Sequence, residues 1–359
     1  MKPDNLHWDF REIDGYDCDI NFIISEREAG KSSGWLRKAK AIFERGNKFI
    51  VTRQQKVAVS DIYINDCRGI INKFIDDPSK RINFYYNKGD LEKGIVDVYA
   101  NTPEKPKKEL AFRLLAMSNR LSDMKSLFIP NCECHFGDEF IKNVRAGEKY
   151  LPQEAWKYKE LINTFQREAP GRRFKSYMFG NPYSRANPYF VEFGVDINAI
   201  KRGKIWTHGK TLVQAYEIKP ELRKYILEHN PLYEFDDSYK KYAFDGLAIN
   251  DENMIIKAKQ PRGFSLFCVV LIEGKRVGLY YSPYVQEFSY CYWVGDVPKM
   301  ANGRIAYAFD FADLQRNTVL VDSYGKQLLS KFARAMECRK VAFANSQYGY
   351  WAESIYNYL

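Results

Sequence analysis

Short apolar runs alternate with segments of helical spacing in the first part of the chain. Residues 19–25 (DINFIIS) form an apolar run with β-branched side chains, which predicts a buried strand. After Gly30, residues 31–45 carry apolar side chains at helical spacing, and residues 48–52 predict a second strand. A strand, a glycine turn, a helix and a strand form a βαβ unit, which predicts a parallel sheet.

The same alternation continues to about residue 205. Apolar segments lie at residues 112–117, 126–130 and 132–137, a helical pattern covers 154–165, and residues 174–179 predict another strand. Asn-Pro pairs at positions 181–182 and 187–188 mark turns. We therefore expect a first α/β domain over residues 1–205.

The pattern changes in the remainder of the chain. Residues 206–250 are charged and tyrosine-rich, which predicts a linker with a helix over 220–229. The segments after it predict three strands and three helices. The strands are expected at residues 264–272, 276–284 and 288–294, and the helices at 310–315, 325–336 and 352–359. A small α/β or α+β domain over residues 251–359 follows from this pattern.

Composition favours a globular protein with a polyanionic partner. Hydrophobic residues make up 45% of the 359 residues and charged residues 28%, with a formal net charge of +10. The seven cysteines contain no C-x-x-C pair, which favours buried thiols in a reducing compartment over disulfides or zinc. The polar N-terminus and the lack of a long apolar stretch predict an intracellular protein without a membrane partner.

The strongest chemical signal is Gly30-Lys31-Ser32 between a predicted strand and a predicted helix. Backbone N–H groups at such a turn, together with the helix N-terminus, suit phosphate oxygens. Lys31 would reach the β- and γ-phosphates of ATP, and Ser32 would hold Mg²⁺. Ser25 stands where the usual pattern has its first glycine, and Glu26 and Glu28 must point away from phosphate. The alternative is an ordinary lysine near a helix start.

The second signal is Asp138-Glu139 at the end of the segment 132–137. A nucleotide hydrolase needs one carboxylate to support Mg²⁺ and another to polarise the attacking water. Adjacent acids at the end of a strand can divide these tasks because successive side chains point in opposite directions. The alternative is an acidic turn.

Arginine and asparagine residues supply two further candidates. One of Arg167, Arg172 and Arg173 is positioned to enter the ATP site of a neighbouring subunit, with Arg167 the first choice. Asn181 is positioned to sense the γ-phosphate. A solvated basic loop and a simple Asn-Pro turn are the respective alternatives.

These motifs occur in a familiar order. Residues 21–24, Gly30-Lys31-Ser32, residues 138–141 (DEFI) and residues 187–190 (NPYF) together resemble the DNA-packaging (encapsidation) ATPases of phi29-like podoviruses, in the FtsK/HerA-terminase group. The resemblance implies an ASCE-type P-loop NTPase domain with a parallel sheet, followed by a small α/β domain like a degenerate RNase H nuclease. It also implies a homomeric ring, pentameric in the known motors, that is docked on a viral portal and pumps double-stranded DNA.

The resemblance also assigns roles by position. Asp138 would support Mg²⁺, Glu139 would be the catalytic carboxylate, and Arg27 matches an arginine of the family's phosphate loop. Arg53 and Lys56 follow the second strand, where the family places a DNA-contacting loop. The expected nucleotide-binding group is Arg27, Gly30, Lys31, Ser32, Ser33, Asp138 and Asn181. We further expect the protein to act in the host cytoplasm and to dock transiently on the procapsid, with a packaging RNA as a further partner.

Residues 251–359 are expected to bind a polyanion or the portal and not to cut DNA. Two-metal cleavage needs clustered carboxylates, and the first predicted strand of this domain, residues 264–272, contains no acid. Two other interpretations of the whole chain stay open at this point. One is a helicase-like P-loop ATPase, and the other is a non-enzymatic nucleic-acid-binding protein with a decayed phosphate loop.

Overall fold

The computed structural model divides the chain into two compact units. The first comprises Met1–Tyr183 and Glu192–Ile249, and the second Ser184–Val191 and Asn250–Leu359. The structure describes residues 6–125, 129–143, 148–151, 153–168, 173–183, 187–196, 199–229, 255–272, 274–283, 289–301, 303–309 and 313–359.

A nine-stranded sheet forms the centre of the first unit, in the order β3-β4-β5-β2-β6-β7-β1-β9-β8. The six strands from β5 to β9 in that order run parallel, and β3, β4 and β8 are added antiparallel at the two edges. The strands are β1 (Ile20–Ser25), β2 (Lys48–Arg53), β3 (Asn83–Tyr85), β4 (Ile95–Asn101), β5 (Glu109–Ala116), β6 (Cys132–Asp138), β7 (Lys175–Gly180), β8 (Lys204–His208) and β9 (Thr211–Tyr216).

The strands predicted around the phosphate loop are confirmed to within two residues. The β1 strand is buried from its second residue to its last, as expected for a parallel strand covered on both faces. Its Ile24 lies beside Gly180 of β7, and Asp138 of β6 lies beside Phe179 of the same strand. The carboxyl ends of β1, β7, β6 and β2 therefore meet at one edge of the sheet, where ligands bind in open α/β folds.

Helices cover the sheet and complete the core. Helix α1 buries Trp35, Leu36, Ala39 and Ile42, while α2 begins at a cap in which Ser60 accepts a hydrogen bond from the Tyr63 N–H. The described helices of this unit are α1 (Lys31–Glu44), α2 (Asp61–Lys73), α3 (Gly89–Lys93), α4 (Leu121–Lys125), α5 (Glu154–Glu168) and α7 (Pro220–His229), whereas most of α6 (Pro188–Glu192) belongs to the second unit.

The first unit extends beyond the expected boundary at residue 205. Strand β9 pairs in parallel with β1, and β8 pairs with β9, so residues of the expected linker are part of the sheet. The predicted helix over 220–229 is confirmed as α7, and its Leu222 and Ile226 belong to the same hydrophobic core. Burial of this apolar face holds α7 on the first unit, whereas a linker helix would expose it.

The second unit contains a seven-stranded sheet in the order β10-β16-β13-β12-β11-β14-β15. Its strands are β10 (Ile255–Ile256), β11 (Ser265–Ile272), β12 (Lys275–Tyr281), β13 (Tyr292–Asp296), β14 (Ala306–Ala308), β15 (Thr318–Leu320) and β16 (Val341–Phe343). The first three of the meander, β11 to β13, are antiparallel, and β14 and β15 continue the sheet in parallel beside β11. This is the strand arrangement of an RNase H-like domain.

Among the described residues after the meander, the helices α8 (Ser323–Glu337) and α9 (Ser346–Tyr358) lie where two of the three helices were predicted, at 325–336 and 352–359. The helix expected over 310–315 is wrong for its described part, since residues 313–315 form no α-helix, and residues 310–312 lie outside the described residues. Strand β13 begins at Tyr292, four residues after the predicted start at 288. In the part of the chain that the structure describes, no helix is long and apolar enough to cross a membrane.

Candidate nucleotide-binding and hydrolysis site

The loop between β1 and α1 has the geometry of a phosphate loop. Gly30 caps α1 with a φ of +91°, and a Cβ at this position would lie 2.6 Å from the Cβ of His7. Only glycine satisfies both the left-handed backbone and this close contact. The preceding residue, Ala29, accepts a hydrogen bond of 2.8 Å from the Trp8 N–H, so the N-terminal segment holds the loop in place.

Lys31 directs its ammonium into the concavity of this loop. Its Nζ donates to the Ser25 carbonyl oxygen at 2.9 Å, the Ser25 Oγ at 2.8 Å, the Glu26 carbonyl oxygen at 3.0 Å and the Asn181 Oδ1 at 3.1 Å. Burial lowers the pKa of Lys31 to about 8, against the opposing effect of the Asp138 carboxylate. Ser25, which departs from the usual loop pattern, thus supplies two of the four oxygens around the lysine.

The other residues of the loop leave the phosphate position open. Ser32 is exposed and Ser33 half-buried in the first turn of α1, whose N-terminus favours anions. Glu26 is buried and turns away, because its carboxylate accepts hydrogen bonds from Arg202 at 2.5 Å and from the Ile218 N–H at 3.3 Å. This is the orientation expected of Glu26 if the loop binds phosphate. Glu28 is exposed, with a φ of +62°.

Asp138 and Glu139 lie at the end of β6, joined by one arginine. The Arg53 guanidinium donates to the Asp138 Oδ2 at 2.9 Å and to the Glu139 Oε2 at 3.0 Å. Burial raises the pKa of Asp138, and Arg53 opposes this rise. Glu139 is 58% exposed and adopts a φ of +59°, an unusual backbone conformation for a non-glycine residue. The two carboxylates therefore share one guanidinium, while that of Glu139 is the more exposed.

The sequence suggested that Arg53 contacts DNA, and the structure places its side chain against the two carboxylates. Its side chain is only 15% exposed and lies over the Tyr63 ring, 4.7 Å from the ring centroid. The physical reason is the register of the sheet: Thr52 lies beside Gly137, so the next residue of β2 meets the next residue of β6. Lys56, by contrast, is exposed in a 3₁₀ turn after β2.

The arginine candidates for a neighbour's site are placed differently from one another. Arg167 is exposed in the last turn of α5. Arg173 pairs with Asp17 and Asp19 of its own chain, and Arg172 lies outside the described residues. The structure therefore leaves Arg167 as the described candidate with an exposed position at a helix end.

Two features near the carboxylates were not expected from the sequence. Lys142 is buried and donates to the Glu139 carbonyl oxygen at 2.7 Å, which fixes the backbone that carries the exposed carboxylate. His135 bonds to the Thr52 Oγ1 at 2.8 Å and the Ser176 Oγ at 2.7 Å, and burial lowers its pKa to about 3. The contact of Lys142 could have been expected from the sequence, because Lys142 lies three residues after Glu139. The partners of His135 come from other strands and leave no local signal.

Five of the seven cysteines are buried thiols, whereas Cys291 is half-buried and Cys338 is exposed. Cys132 and Cys134 are buried in β6, and burial raises the pKa of both thiols, to about 12 for Cys132. Across the described residues, no group of three histidine, cysteine, aspartate or glutamate side chains is placed to hold a metal ion. The Ser32 hydroxyl and the Asp138 carboxylate would still fit the Mg²⁺ of a nucleotide complex, because phosphate oxygens and water supply the other ligands.

A phosphate loop after β1, a carboxylate pair on β6 and a strand between the two define the class of ASCE-type P-loop ATPases. The particular family follows from a family model that matches residues 106–356, and the chain belongs to that family, the Podovirus DNA encapsidation protein (Gp16). The matched residues include Asp138, Glu139 and Asn181. The phosphate loop precedes them, so its assignment rests on the geometry above.

Individual relatives agree with this family. A DNA packaging protein of Bacillus phage B103 is 25% identical over 318 residues, covering 87% of this chain and 88% of the relative. The chain of the bacteriophage Phi-29 viral genome packaging motor assembly is similar in structure, with a TM-score of 0.62 and 20% identity, covering 98% of this chain and 99% of the other. The Phi-28 gp11 DNA packaging motor gives a TM-score of 0.61 and 14% identity, covering 98% of each chain.

Proposed function

We propose that this protein is one subunit of a homomeric ring that hydrolyses Mg·ATP and drives double-stranded DNA into a viral procapsid. The observation that carries the proposal is the ammonium of Lys31, held by four oxygens in the phosphate loop at the sheet edge where Asp138 and Glu139 lie. Phosphate oxygens of ATP would replace those four oxygens as the hydrogen-bond acceptors of the ammonium. Membership of a DNA encapsidation family supports the proposal that the DNA is driven into the procapsid.

The loop and the carboxylates divide the chemistry. The backbone before Lys31 and the first turn of α1, with Ser32 and Ser33, would cradle the phosphates. Ser32 and Asp138 offer the hard oxygen ligands that Mg²⁺ prefers, and the ion would neutralise charge on the β- and γ-phosphates. Glu139 would polarise the attacking water, which suits its greater exposure.

Hydrolysis would be shared between subunits. Arg167 is our candidate for the arginine that enters a neighbour's site, because it is exposed at a helix end while Arg173 is held by two aspartates of its own chain. A residue that acts on the next subunit requires a head-to-tail interface, and such interfaces form a ring when the rotation between subunits closes. A pentamer is the ring size that the family resemblance implies.

DNA contact would be made through phosphates without sequence preference. A packaging motor must move any sequence, so base-specific contacts would impede it. Lys56 is the exposed candidate of the two residues first considered, and the net charge of +10 supports a polyanionic partner. Arg53 is better placed to act on the carboxylates.

The second unit would bind the portal or a nucleic acid, including a packaging RNA, and would not cut DNA. Its strand β11 (SLFCVVLI) carries no acid, and two nearby acids have structural partners: Asp313 accepts from the Gly274 N–H and Asp322 caps α8. The exposed side of α8 presents Lys326, Lys331 and Arg334, which suits phosphate groups. The site of action would be the host cytoplasm, at the surface of the procapsid.

The deciding experiment compares ATP turnover by the purified protein alone, with free DNA, and with DNA plus empty procapsids. We expect procapsids to give the largest stimulation and Lys31→Ala to abolish it. Stimulation by free DNA that procapsids do not increase would favour a helicase-like translocase. A wild-type protein that binds no ATP would favour a nucleic-acid-binding protein with a decayed loop.

A further inference from the structure

A tight turn at the end of β7 brings a tyrosine to the mouth of the phosphate loop. The Tyr183 N–H donates to the Asn181 carbonyl oxygen at 2.8 Å, which closes a three-residue turn around the buried Pro182. This turn keeps the side chains of Asn181 and Tyr183 on the same side, because the Asn181 Nδ2 lies 3.4 Å from the Tyr183 hydroxyl.

The same hydroxyl also contacts the phosphate loop. The Arg27 guanidinium donates to the Tyr183 oxygen at 3.1 Å, and the Lys31 ammonium donates to the Asn181 Oδ1 at 3.1 Å. A phenolic oxygen has two lone pairs, so it can accept from both Arg27 and Asn181. Arg27, Tyr183, Asn181 and Lys31 thus form one continuous chain of hydrogen bonds from the loop to the end of β7.

We propose that Tyr183 is a positioning residue that holds Arg27 beside the γ-phosphate position and couples it to Asn181. This inference rests on the proposed function, since it assumes that the loop binds ATP. Arg27 is exposed, and a long arginine side chain loses conformational freedom when it is fixed on a phosphate. The Tyr183 hydroxyl restricts that freedom before the nucleotide arrives.

The coupling gives the site a way to distinguish ATP from ADP. A γ-phosphate would attract Lys31 and Arg27 together, and Asn181 would then exchange its bond to Lys31 for a contact with the phosphate. ADP lacks the group on which these three side chains converge. Loss of the Tyr183 hydroxyl should therefore weaken the binding of a triphosphate more than that of a diphosphate.

The test measures binding of Mg²⁺ complexes of ADP and of the β,γ-imido analogue of ATP to the full-length protein. The variants are Tyr183→Phe, Arg27→Ala and the two combined, with Tyr225→Phe, an exposed tyrosine on α7, as the matched control. We expect Tyr183→Phe to weaken binding of the analogue about threefold to tenfold, the range that one typical hydrogen bond contributes, and binding of ADP by less than about twofold. Tyr183→Phe should cost less in the Arg27→Ala background than in the wild type, and Tyr225→Phe should match the wild type.

Three outcomes would overturn the inference. They are equal losses for the analogue and ADP, losses that add in the double variant, and an Arg27→Ala protein that binds the analogue as the wild type does. A wild-type protein that binds neither nucleotide would instead remove the proposed function, and this inference with it. The titration therefore distinguishes failure of the positioning role from failure of the ATP site.

Discussion

Replacing Arg53 by alanine should destabilise the first unit by freeing two adjacent carboxylates. The contact with Asp138 is the stronger one, because both side chains are mostly buried, at 15% and 21% exposure. A hydrogen-bonded charge pair of this kind contributes about 1–3 kcal/mol. The contact with the 58% exposed Glu139 adds only about 0–1 kcal/mol. We expect a loss of about 2 kcal/mol, which lowers the Tm of a unit of this size by about 4–8 °C.

The pH dependence of this loss has a definite sign. Burial already raises the pKa of Asp138, and Arg53 opposes the rise, so the pKa should increase further in the variant. An acid whose pKa is higher in the folded state costs stability once the pH exceeds its unfolded-state value. The Tm difference between wild type and Arg53→Ala should therefore grow from pH 5 to pH 7.

The assay is a double-mutant cycle of Arg53→Ala and Asp138→Asn, followed by thermal unfolding of the full-length protein. Arg11→Ala serves as the control, because Arg11 pairs with Asp9 but is 65% exposed. The cycle should show coupling between Arg53 and Asp138, and the affinity for DNA should stay within about twofold of the wild type because no phosphate contact is lost. Additive Tm changes, or a loss of DNA affinity without a stability change, would refute the placement of Arg53 at the carboxylates.

Four further predictions follow from the site. Lys31→Ala should abolish tight ATP binding, and unchanged affinity in the variant would exclude the loop assignment. In the wild type, calorimetry should detect proton uptake on ATP binding near pH 8, because the pKa of Lys31 without nucleotide is about 8 and phosphate restores its charge. Glu139→Gln should bind Mg·ATP but turn it over about 10²–10⁴-fold more slowly, and the same phenotype in Asp138→Asn instead would reverse the two roles. Arg167→Ala should bind ATP and stall, with activity restored on mixing with Lys31→Ala subunits, since mixed rings pair an intact arginine with an intact site; no recovery at any ratio would exclude a shared site. Lys56→Ala should weaken binding to all DNA sequences alike and reduce the slope of log affinity against log salt by about 1, whereas a sequence-dependent loss would contradict phosphate contact.

Local patterns were enough to predict the centre of the first unit. Strands β1, β2 and β7 are buried along most of their length, so each appears in the sequence as a mostly apolar run. The glycine at position 30 and the lysine after it carry their own local signal. The fold class and the two motifs at the sheet edge were predictable for this reason.

Strands at the edges of the sheet were not predictable in the same way. The β8 strand is polar and largely exposed, and β9 contains a buried glutamine, so the pair resembled a linker. The amide of Gln214 is satisfied by partners far away in sequence: its Oε1 accepts from the Trp8 indole at 2.8 Å and its Nε2 donates to Glu12 at 2.7 Å. A buried polar residue is acceptable in a strand once such partners exist, and no local pattern reveals them.

The placement of Arg53 depends on register, which local sequence does not specify. His135 accounts for part of that register, because it is fully buried in β6 and bonds to Thr52 of β2 and Ser176 of β7 at the same time. A slip of one residue in β6 would direct the imidazole to the opposite face and would remove the hydrogen bonds that it makes with Thr52 and Ser176. Burial also keeps the imidazole neutral, so one nitrogen donates and the other accepts. These bonds keep β6 in register with β2, and this register places Arg53 opposite Asp138. The polar His135 makes β6 look unlike a core strand, but it is the residue that aligns the carboxylates with the phosphate loop.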